Sequence, residues 1–479
     1  MASTELPAGS HYAVVWGIPD GYAGMTRAML HRSRAFVRLG GAEVTIVTYE
    51  FRDDYDAIRA ELRQTGELIQ GMHLVNLWED LRGWDDDRLR AGTVRFSNRQ
   101  DDPFRPLDRE SGLGQPLRTT LRNDVGDIEQ VDYYREDGTL MVSDRHRMPG
   151  PKARAVTLCD TSGQPIGTWD SIWRLYAFWL DSLPREPFAW FVVDSKTVAT
   201  SFTHYRRPDV VTMHLVHGSH LAAGSTPPYG ELAASRKGTF EHLDKWDAVV
   251  FLTGQQRSDV ELLLGPGSNR YVCPNGRRQP SGDPDLTRPS ANGVMLASLI
   301  GRKRVDHAIK AVAKAADGGR SRGERPQPRL DVYGDGELRP ELERLVRRKS
   351  RRADVTLQGF VAGADERLQD ASFSLLTSMG EGQPLALIES MAAGCIPISY
   401  DIAYGPADVI TDRVDGFLVP AGKVREMAEV VRQVAHASPE ELAPMRLAAH
   451  RRAQDFNDEH VTGEWAAIMR QALDAKRRS

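Results

Sequence analysis

The amino-acid sequence predicts an α/β protein with two doubly wound domains and a β-rich insertion in the first of them. Three observations predict this class. Two series of short apolar runs, one on each side of residue 279, alternate with helix-length segments, as in βαβ units. A turn-rich stretch of alternating polar and apolar residues interrupts the first series. The chain has 479 residues, which is too long for one compact core, because domains usually have about 100–200 residues.

The first domain begins with a strand, a turn, a helix and a second strand. Tyr12–Ile18 is an apolar run of the kind that parallel sheets bury on both faces. Met25–Leu39 has apolar residues at helical spacing and ends at two glycines, and Ala42–Tyr49 is the second strand. The buried-strand pattern returns in three later runs, Phe188–Val193, Val210–Val216 and Ala248–Thr253. Residues 1–70 and 188–278 are therefore predicted to form one Rossmann-like domain.

Residues 71–187 have a different pattern and are predicted to be an inserted β-rich module. Gln130–Tyr134 and Thr139–Ser143 both alternate polar and apolar residues, and an Asp-Gly turn lies between them. This combination is a strong hairpin signal. Ala155–Leu158 and Pro165–Trp169 repeat the pattern around a Ser-Gly turn.

The second domain follows a linker rich in Pro, Gly, Ser and Asp that begins after Pro274. Six strands are predicted there: Val294–Ile300, Arg329–Tyr333, Val355–Leu357, Phe373–Thr377, Ile396–Tyr400 and Phe417–Val419. The helices between them include Val305–Ala316 and Pro384–Ala393. Residues 279–455 are predicted to be a second Rossmann-like domain, and residues 456–479 a helix that crosses back to the first.

Composition excludes several classes of protein. The 62 Lys and Arg residues nearly balance 66 Asp and Glu residues, so the formal net charge of −4 gives no global attraction to nucleic acid or an anionic membrane. Cys159, Cys273 and Cys395 are far apart and fit neither a disulfide framework nor a zinc site. No secretory signal and no apolar run of about 20 residues is visible. We expect a cytoplasmic protein with at most peripheral membrane association and no nucleic-acid partner.

The most informative loop follows the predicted strand Phe373–Thr377. Ligands of open parallel sheets bind outside the carboxyl ends of the strands, and this loop places Glu381 between two glycines there. Pro384 is predicted as the first helical residue, because its missing N–H would be unpaired at that position. Glu389 lies eight positions after Glu381, so both carboxylates can face one crevice and bind vicinal hydroxyls of a sugar or ribose. An acidic helix start favoured by the helix dipole explains Glu389 as well.

Three further motifs are candidates for ligand binding. The loop Gly17–Gly24 can bring backbone N–H groups to a phosphate, or it is simply a tight βα turn. His217 ends a strand and His220 follows it, which fits a metal pair or a substrate contact. Because no Asp, Glu or Cys joins them locally, contact of His217 with a substrate hydroxyl is favoured. Arg302–Arg304 follows a strand and suits a diphosphate, although basic runs are more often solvated surface.

At this point the motifs resemble a known family. Glu381–Ser399, EGQPLALIESMAAGCIPIS, closely resembles the E-x7-E signature of the retaining family 4 glycosyltransferases, which have the GT-B fold. Three neighbouring segments agree with that family in order: Val332–Val346, Val355–Phe360 and Tyr404–Pro420. Three others resemble the bacterial teichoic acid α-glycosyltransferases within it: Val216–Thr253, Lys303–Val312 and Tyr404–Pro406. Those enzymes carry a β-rich insertion used for trimer formation, and the module predicted here lies in the corresponding place.

The resemblance implies a role for each candidate that can bind a hydroxyl group. Glu389 would hold the ribose hydroxyls of the nucleotide. Glu381, with the backbone of Gly382 and Gln383, would hold hydroxyls of the donor sugar. His217 would face that sugar near the reacting carbon.

The resemblance also implies the groups around the diphosphate. Lys303 would neutralise it, but the arginine that the family usually has five positions earlier is Ser298 here. Arg302, adjacent to the lysine, is the candidate replacement. The remaining implied contacts are Phe360 and Val361 beside the base, and Gly21 and Gly24 near the donor phosphates and the acceptor.

The function implied is a retaining transfer of a hexose or N-acetylhexosamine from a UDP-sugar to an acceptor hydroxyl, on a teichoic-acid-type polyol-phosphate polymer. The resemblance implies no metal or other cofactor. It also implies a homo-oligomer, and a trimer in particular. Three alternatives stay open. They are a small-metabolite or lipid-linked acceptor, a nucleotide-sugar phosphorylase or synthase of the same fold, and a non-catalytic scaffold with a vestigial transferase site.

Overall fold

The computed structural model of the chain describes residues 3–22, 24–91, 106–107, 116–146, 154–280, 282–317, 326–349 and 354–478. Two compact units are present. The smaller comprises Ala8–Thr26 and Glu43–Val211, and the larger comprises Met1–Pro7, Arg27–Ala42 and Thr212–Ser479. These bounds differ from those of the predicted domains, because residues 212–278 belong to the same unit as the second Rossmann-like region. The predicted division into four parts stays a prediction.

The regular elements are numbered in chain order. The strands are β1 Ser10–Val14, β2 Val44–Thr48, β3 Met72–Asn76, β4 Arg118–Arg122, β5 Ile128–Tyr134, β6 Leu140–His146, β7 Arg154–Cys159, β8 Pro165–Trp169, β9 Ala189–Val193, β10 Val210–Val216, β11 Ala248–Phe251, β12 Arg270–Val272, β13 Asn292–Leu296, β14 Arg329–Tyr333, β15 Asp354–Gly359, β16 Phe373–Leu376, β17 Ile396–Asp401 and β18 Phe417–Pro420. The helices are α1 Met25–Arg38, α2 Tyr55–Gln64, α3 Leu77–Gly83, α4 Asp86–Ala91, α5 Ile172–Leu180, α6 Lys196–Phe202, α7 Ala234–Phe240, α8 Gly254–Leu264, α9 Val305–Asp317, α10 Arg339–Lys349, α11 Leu385–Ala392, α12 Pro406–Val409, α13 Val424–His436, α14 Pro439–Ala453 and α15 Asp458–Arg478.

The smaller unit contains a parallel sheet and an antiparallel one. The parallel sheet has the order β9–β1–β2–β3, and the antiparallel sheet runs β4–β5–β6–β7–β8. The predicted hairpins are confirmed, because β5 pairs with β6 and β7 pairs with β8 in antiparallel register. Met72–Asn76 lies within the range predicted for the insertion but pairs in parallel with β2, and the antiparallel sheet begins only at Arg118. Trp78 of α3 stacks on Tyr133 of β5, with ring centroids 3.9 Å apart.

The larger unit contains a six-stranded parallel sheet with the order β15–β14–β13–β16–β17–β18. In chain order this is 3-2-1-4-5-6, the arrangement of doubly wound dinucleotide-binding sheets. The strand order therefore reverses between β13 and β16, which are neighbours in the sheet. The loops that leave their carboxyl ends flank the crevice in which such sheets bind ligands. The predicted α/β class with an antiparallel insertion is confirmed.

Helix α11 packs on this sheet and carries Glu389. Leu387, Ile388 and Met391 are buried in the core cluster formed by the six strands and their helices. Pro384 occupies the N-cap position with ψ near 100°, rather than the first helical position that the sequence predicts. The reason lies in the tertiary structure, because the Pro384 ring packs against the backbone of Gly405 and its carbonyl accepts the first bond, from the Leu387 N–H at 3.0 Å.

Two further parts of the larger unit matter for the site. The strands β10, β11 and β12 pair in parallel in that order, so the segment that follows β10 begins at a carboxyl edge. The long C-terminal helix α15 contacts α1, since Trp465 lies edge-on to Phe36 at 5.9 Å and beneath Arg32 at 5.3 Å. Among the described residues, no helix combines the length and the apolar character needed to cross a membrane.

The packing of α11 can be tested with a matched pair of leucine substitutions. Leu387 is 1% exposed in the core, whereas Leu262 of α8 is 61% exposed. We expect Leu387→Ala to lower the free energy of unfolding by about 2–5 kcal/mol, because it removes buried apolar surface and leaves a cavity. Leu262→Ala should change it by less than about 0.5 kcal/mol. Urea unfolding followed by tryptophan fluorescence measures both, and equal effects would contradict the packing described.

Candidate functional site

Two loops meet where the strand order reverses. The loop after β13 ends in a short 3₁₀ turn, Gly301–Lys303, and the loop after β16 contains Thr377–Gly380. The Thr377 hydroxyl donates to the Lys303 carbonyl at 3.0 Å, and the Met379 N–H donates to the Arg302 carbonyl at 2.9 Å. Hydrogen bonds between the loops therefore hold them in one arrangement, which the sequence alone does not specify.

The two loops bring one carboxylate and two cations together. The ammonium Nζ of Lys303 lies 2.6 Å from Oε1 of Glu381, and Nη1 of Arg302 lies 3.0 Å from Oε2. The Glu381 side chain is only 11% exposed. Its burial acts to raise the carboxyl pKa, but Lys303 and Arg302 outweigh burial and hold that pKa below its ordinary value. The cluster is therefore fully charged at neutral pH and carries one net positive charge.

Close backbone contact explains one of the two glycines beside Glu381. A Cβ atom at Gly382 would lie 2.8 Å from the carbonyl carbon of His217 and 3.2 Å from the nitrogen of Gly218. Only glycine permits this approach. Gly382 therefore has a packing role, which explains a glycine at this position without a bound ligand. The same contact brings His217, half-buried after the end of β10, next to the Glu381 loop.

Gln383 and Glu389 also have partners from the segment after β12. The side-chain oxygen of Gln383 accepts the N–H of Asn275 at 2.7 Å. Nε of Arg277 donates to Oε1 of Glu389 at 2.9 Å, and Arg277 itself is 6% exposed. Sequence reasoning missed Arg277, because it lies in the Pro- and Gly-rich stretch predicted to be a linker. The only available signal was a cation following the Pro274–Gly276 turn.

The other predicted site residues are placed as follows. Phe360 and Val361 follow β15 and are large apolar side chains left exposed, to 76% and 38%. Gly21 and Gly24 precede α1 and belong to the smaller unit. Their φ angles are 60° and 56°, which glycine adopts without strain. The roles implied for these four residues stay predictions.

His220 is a core residue and does not join His217 in a ligand pair. It is 0% exposed, and its ring stacks near Phe240 and Tyr404, with centroids 5.7 Å and 6.0 Å apart. Burial, with a smaller effect of Arg236, lowers the pKa of His220 to about 4, so it is neutral at physiological pH. Within the described ranges, no group of three or more His, Cys, Asp or Glu side chains is arranged to hold a metal ion. The expectation that no metal is required stays a prediction.

The charge state of Glu381 makes stability depend on pH. Because its folded-state pKa lies below the ordinary value of 4.5, the carboxylate stabilises the folded chain at neutral pH. That contribution is lost as the pH falls through the lowered pKa. We therefore expect the difference in unfolding free energy between the wild type and Glu381→Gln to shrink as the pH is lowered from about 7 to about 3.

Urea unfolding at a series of pH values measures this difference. Glu426→Gln, at an exposed position of α13, is the matched control. Its unfolding free energy at neutral pH should differ from that of the wild type by less than about 0.5 kcal/mol. A Glu381→Gln difference that stays constant over the whole pH range would contradict the charged cluster.

The chain is similar to several known proteins. Residues 293–452 match the family described as Glycosyl transferases group 1. The chain is 20% identical to the Poly(glycerol-phosphate) alpha-glucosyltransferase of Bacillus subtilis (strain 168), over 98% of this chain and 76% of that protein. It is 24% identical to the Poly(ribitol-phosphate) alpha-N-acetylglucosaminyltransferase of Staphylococcus aureus (strain COL), over 86% of this chain and 90% of that protein.

Solved structures show the same fold. A crystal structure of an S. aureus TarM mutant in complex with fondaparinux, alpha-GlcNAc-glycerol and UDP superposes with a TM-score of 0.73 at 18% identity, covering 96% of this chain and all of that one. The pneumococcal O-GlcNAc transferase GtfA in complex with UDP and GlcNAc superposes with a TM-score of 0.65 at 16% identity, covering 97% and 99%. The chain therefore has the fold of these structures, the GT-B fold, and its residues 293–452 are similar to the Glycosyl transferases group 1 family.

Proposed function

We propose that this protein is a retaining glycosyltransferase that moves a hexose or N-acetylhexosamine from a UDP-sugar to a hydroxyl group of a polyol-phosphate polymer of the teichoic acid type. The observation that carries the proposal is the cluster of Glu381 with Lys303 and Arg302 at the point where the strand order reverses. It lies in the part of the chain that is similar to the Glycosyl transferases group 1 family, and Glu389 follows Glu381 by eight residues.

Cations bind the diphosphate of the donor, and a carboxylate binds its ribose. Cleaving a sugar–diphosphate bond develops negative charge on the leaving group, and fixed cations stabilise such charge. Lys303 and Arg302 supply two, and their excess charge over Glu381 favours an anion. Arg277 donates to one oxygen of Glu389, and the Glu389 carboxylate keeps enough acceptor capacity to bind the two ribose hydroxyls. Phe360 and Val361 offer exposed apolar surface for the base.

Retention follows from a front-face reaction. The bond between the anomeric carbon and the diphosphate oxygen breaks, and the acceptor oxygen bonds to that carbon from the same face. The acceptor proton passes to the departing phosphate oxygen. Both oxygens of Glu381 face cations, and its lowered pKa makes it a poor proton donor. These contacts favour a substrate-binding role for Glu381 over a covalent or general-acid role. His217 would contact the sugar near the reacting carbon.

The acceptor is inferred from the relatives. Two of them are named for transfer to poly(glycerol-phosphate) and poly(ribitol-phosphate). A peptide acceptor is the second candidate, because the GtfA structure shares the fold and relatives of that name are peptide N-acetylglucosaminyltransferases. We further expect a homo-oligomer, a trimer in particular, a cytoplasmic location and at most peripheral membrane association. A small acceptor and a non-catalytic scaffold are outcomes that the experiments below distinguish. A lipid-linked acceptor and phosphorylase or synthase activity are the remaining alternatives.

A donor and acceptor screen tests the function directly. UDP-, GDP- and dTDP-sugars are each offered with poly(glycerol phosphate), poly(ribitol phosphate), a peptide, glycerol or no acceptor, and nucleotide release is measured. We expect release with a UDP-sugar to rise strongly when a polyol-phosphate polymer is added, and NMR of the product to show the anomeric configuration of the donor. Nucleotide release that rises only with the peptide or only with glycerol would contradict the proposed acceptor. The absence of nucleotide release in every combination would contradict the proposed enzyme. An inverted product would contradict retention.

Substitutions in the cluster test the site. Lys303→Ala and Glu381→Ala should each lower kcat by about 10²- to 10³-fold, because each removes a group that binds the reacting part of the donor. Lys310→Ala is the matched control. Lys310 lies in α9, directly after the loop that carries Lys303, and it pairs only with Asp306 among the described residues. It should keep kcat within about twofold of the wild type. Near-normal turnover by both cluster variants would contradict the site.

A further inference from the structure

Arg236 lies close to the site and was not singled out by the sequence. It is the third residue of α7, and its Nη2 atom lies 3.5 Å from where a Cβ atom of Gly218 would be. Gly218 directly follows His217 at the end of β10. The guanidinium therefore covers the backbone at the carboxyl end of that strand. The residue is half-buried, so solvent and ligands still reach part of the side chain.

Arg236 differs from three buried arginines of the same unit, because none of the described residues accepts a hydrogen bond from its guanidinium. Arg288 donates to the Ala393 carbonyl at 2.6 Å, Arg446 donates to the Leu286 carbonyl at 3.1 Å, and Arg277 pairs with Glu389. In the part of the chain that the structure describes, no carboxylate or carbonyl oxygen accepts a hydrogen bond from Arg236. Burial alone lowers its pKa to about 10, and no carboxylate opposes that effect. A half-buried guanidinium that loses part of its hydration without gaining a carboxylate is well placed to bind an anionic ligand.

The surroundings of Arg236 lead to the Glu381 loop. The nitrogen of Gly218, beside which the guanidinium lies, is 3.2 Å from where a Cβ atom of Gly382 would be. The carbonyl of Gly218 accepts a bond from Gln256 Nε2 at 2.9 Å, which holds this backbone in place. An anion bound to Arg236 would therefore lie next to the loop that carries Glu381.

We propose that Arg236 is a further substrate-binding residue, and that it binds a phosphoryl group through its planar pair of N–H donors. The inference rests on the proposed function, which supplies two sources of such a group. One is the diphosphate of the nucleotide sugar. The other is a phosphodiester of the polyol-phosphate acceptor, next to the hydroxyl that receives the sugar. Arginine suits either, because its guanidinium matches phosphate geometry with two parallel hydrogen bonds.

Stability separates a ligand-binding arginine from a structural one. Arg236→Met keeps a long side chain and removes a cation that has no partner among the described residues, so the melting temperature should stay equal or rise. Arg446→Met is the structural comparison, since it leaves the carbonyls of Leu286 and Arg288 without their donor and should lower the melting temperature. If Arg236→Met lowers the melting temperature as much as Arg446→Met does, the proposal is overturned.

Binding identifies the source of the phosphoryl group. UDP and poly(glycerol phosphate) are titrated separately by calorimetry into the wild type, Arg236→Met, Arg236→Lys and the control Lys237→Met. Lys237 is the next residue along α7, is exposed and pairs with Glu241. We expect Arg236→Met to weaken one probe by about 10- to 100-fold, the usual effect of a charged hydrogen bond. Arg236→Lys should recover part of the loss, and Lys237→Met should bind like the wild type.

Weaker UDP binding assigns the donor diphosphate to Arg236, and weaker polymer binding with unchanged UDP binding assigns the acceptor phosphodiester. Unchanged binding of both probes by folded Arg236→Met overturns the proposal. Because binding is read without turnover, a wild-type chain that binds the probes but transfers no sugar contradicts only the proposed function. A wild-type chain that binds neither probe contradicts both.

Discussion

The ionic contact of Glu381 with Lys303 and Arg302 is the interaction on which the proposed site depends. A carboxylate that is 11% exposed stays charged there only because two cations lie within 3.0 Å of it. Those cations come from the loop after β13, and the carboxylate comes from the loop after β16. The contact therefore exists because the strand order of the sheet makes β13 and β16 neighbours. It links the topology of the larger unit to its chemistry.

A second set of contacts joins residues 217–277 to the sheet that carries Glu381. Gly382 packs on the His217 backbone, Gln383 accepts from Asn275, and Arg277 pairs with Glu389. Each uses a residue of the E-x7-E segment or one directly beside it. The segment thus binds the neighbouring part of the same unit, and under the proposed function it would also offer carboxylates to a ligand. Substitutions in it are expected to affect ligand binding and local structure together.

Charge is distributed in the site in a way that the net charge of the chain conceals. The whole sequence is slightly acidic, at −4, yet the described groups around Glu381 have more cations than anions. Arg277 is matched by Glu389, Lys303 and Arg302 share one carboxylate, and Arg236 has none among the described residues. Under the proposed function, a substrate that carries phosphate would supply the missing negative charge. Local complementarity of this kind is what a nearly neutral protein needs to bind a polyanion.

The sequence by itself determined most of the fold and the positions of the main carboxylates. Short apolar runs separated by helical segments specify buried parallel strands, and the Asp-Gly turn at residue 138 specifies a hairpin, because these patterns depend on local chemistry. The spacing of Glu381 and Glu389 was readable for the same reason. Only the tertiary structure decided which cation meets which carboxylate, that Pro384 caps α11, that His220 is buried, and that Arg277 and Arg236 belong near the site. Those facts depend on contacts between residues far apart in the chain, which no local pattern encodes.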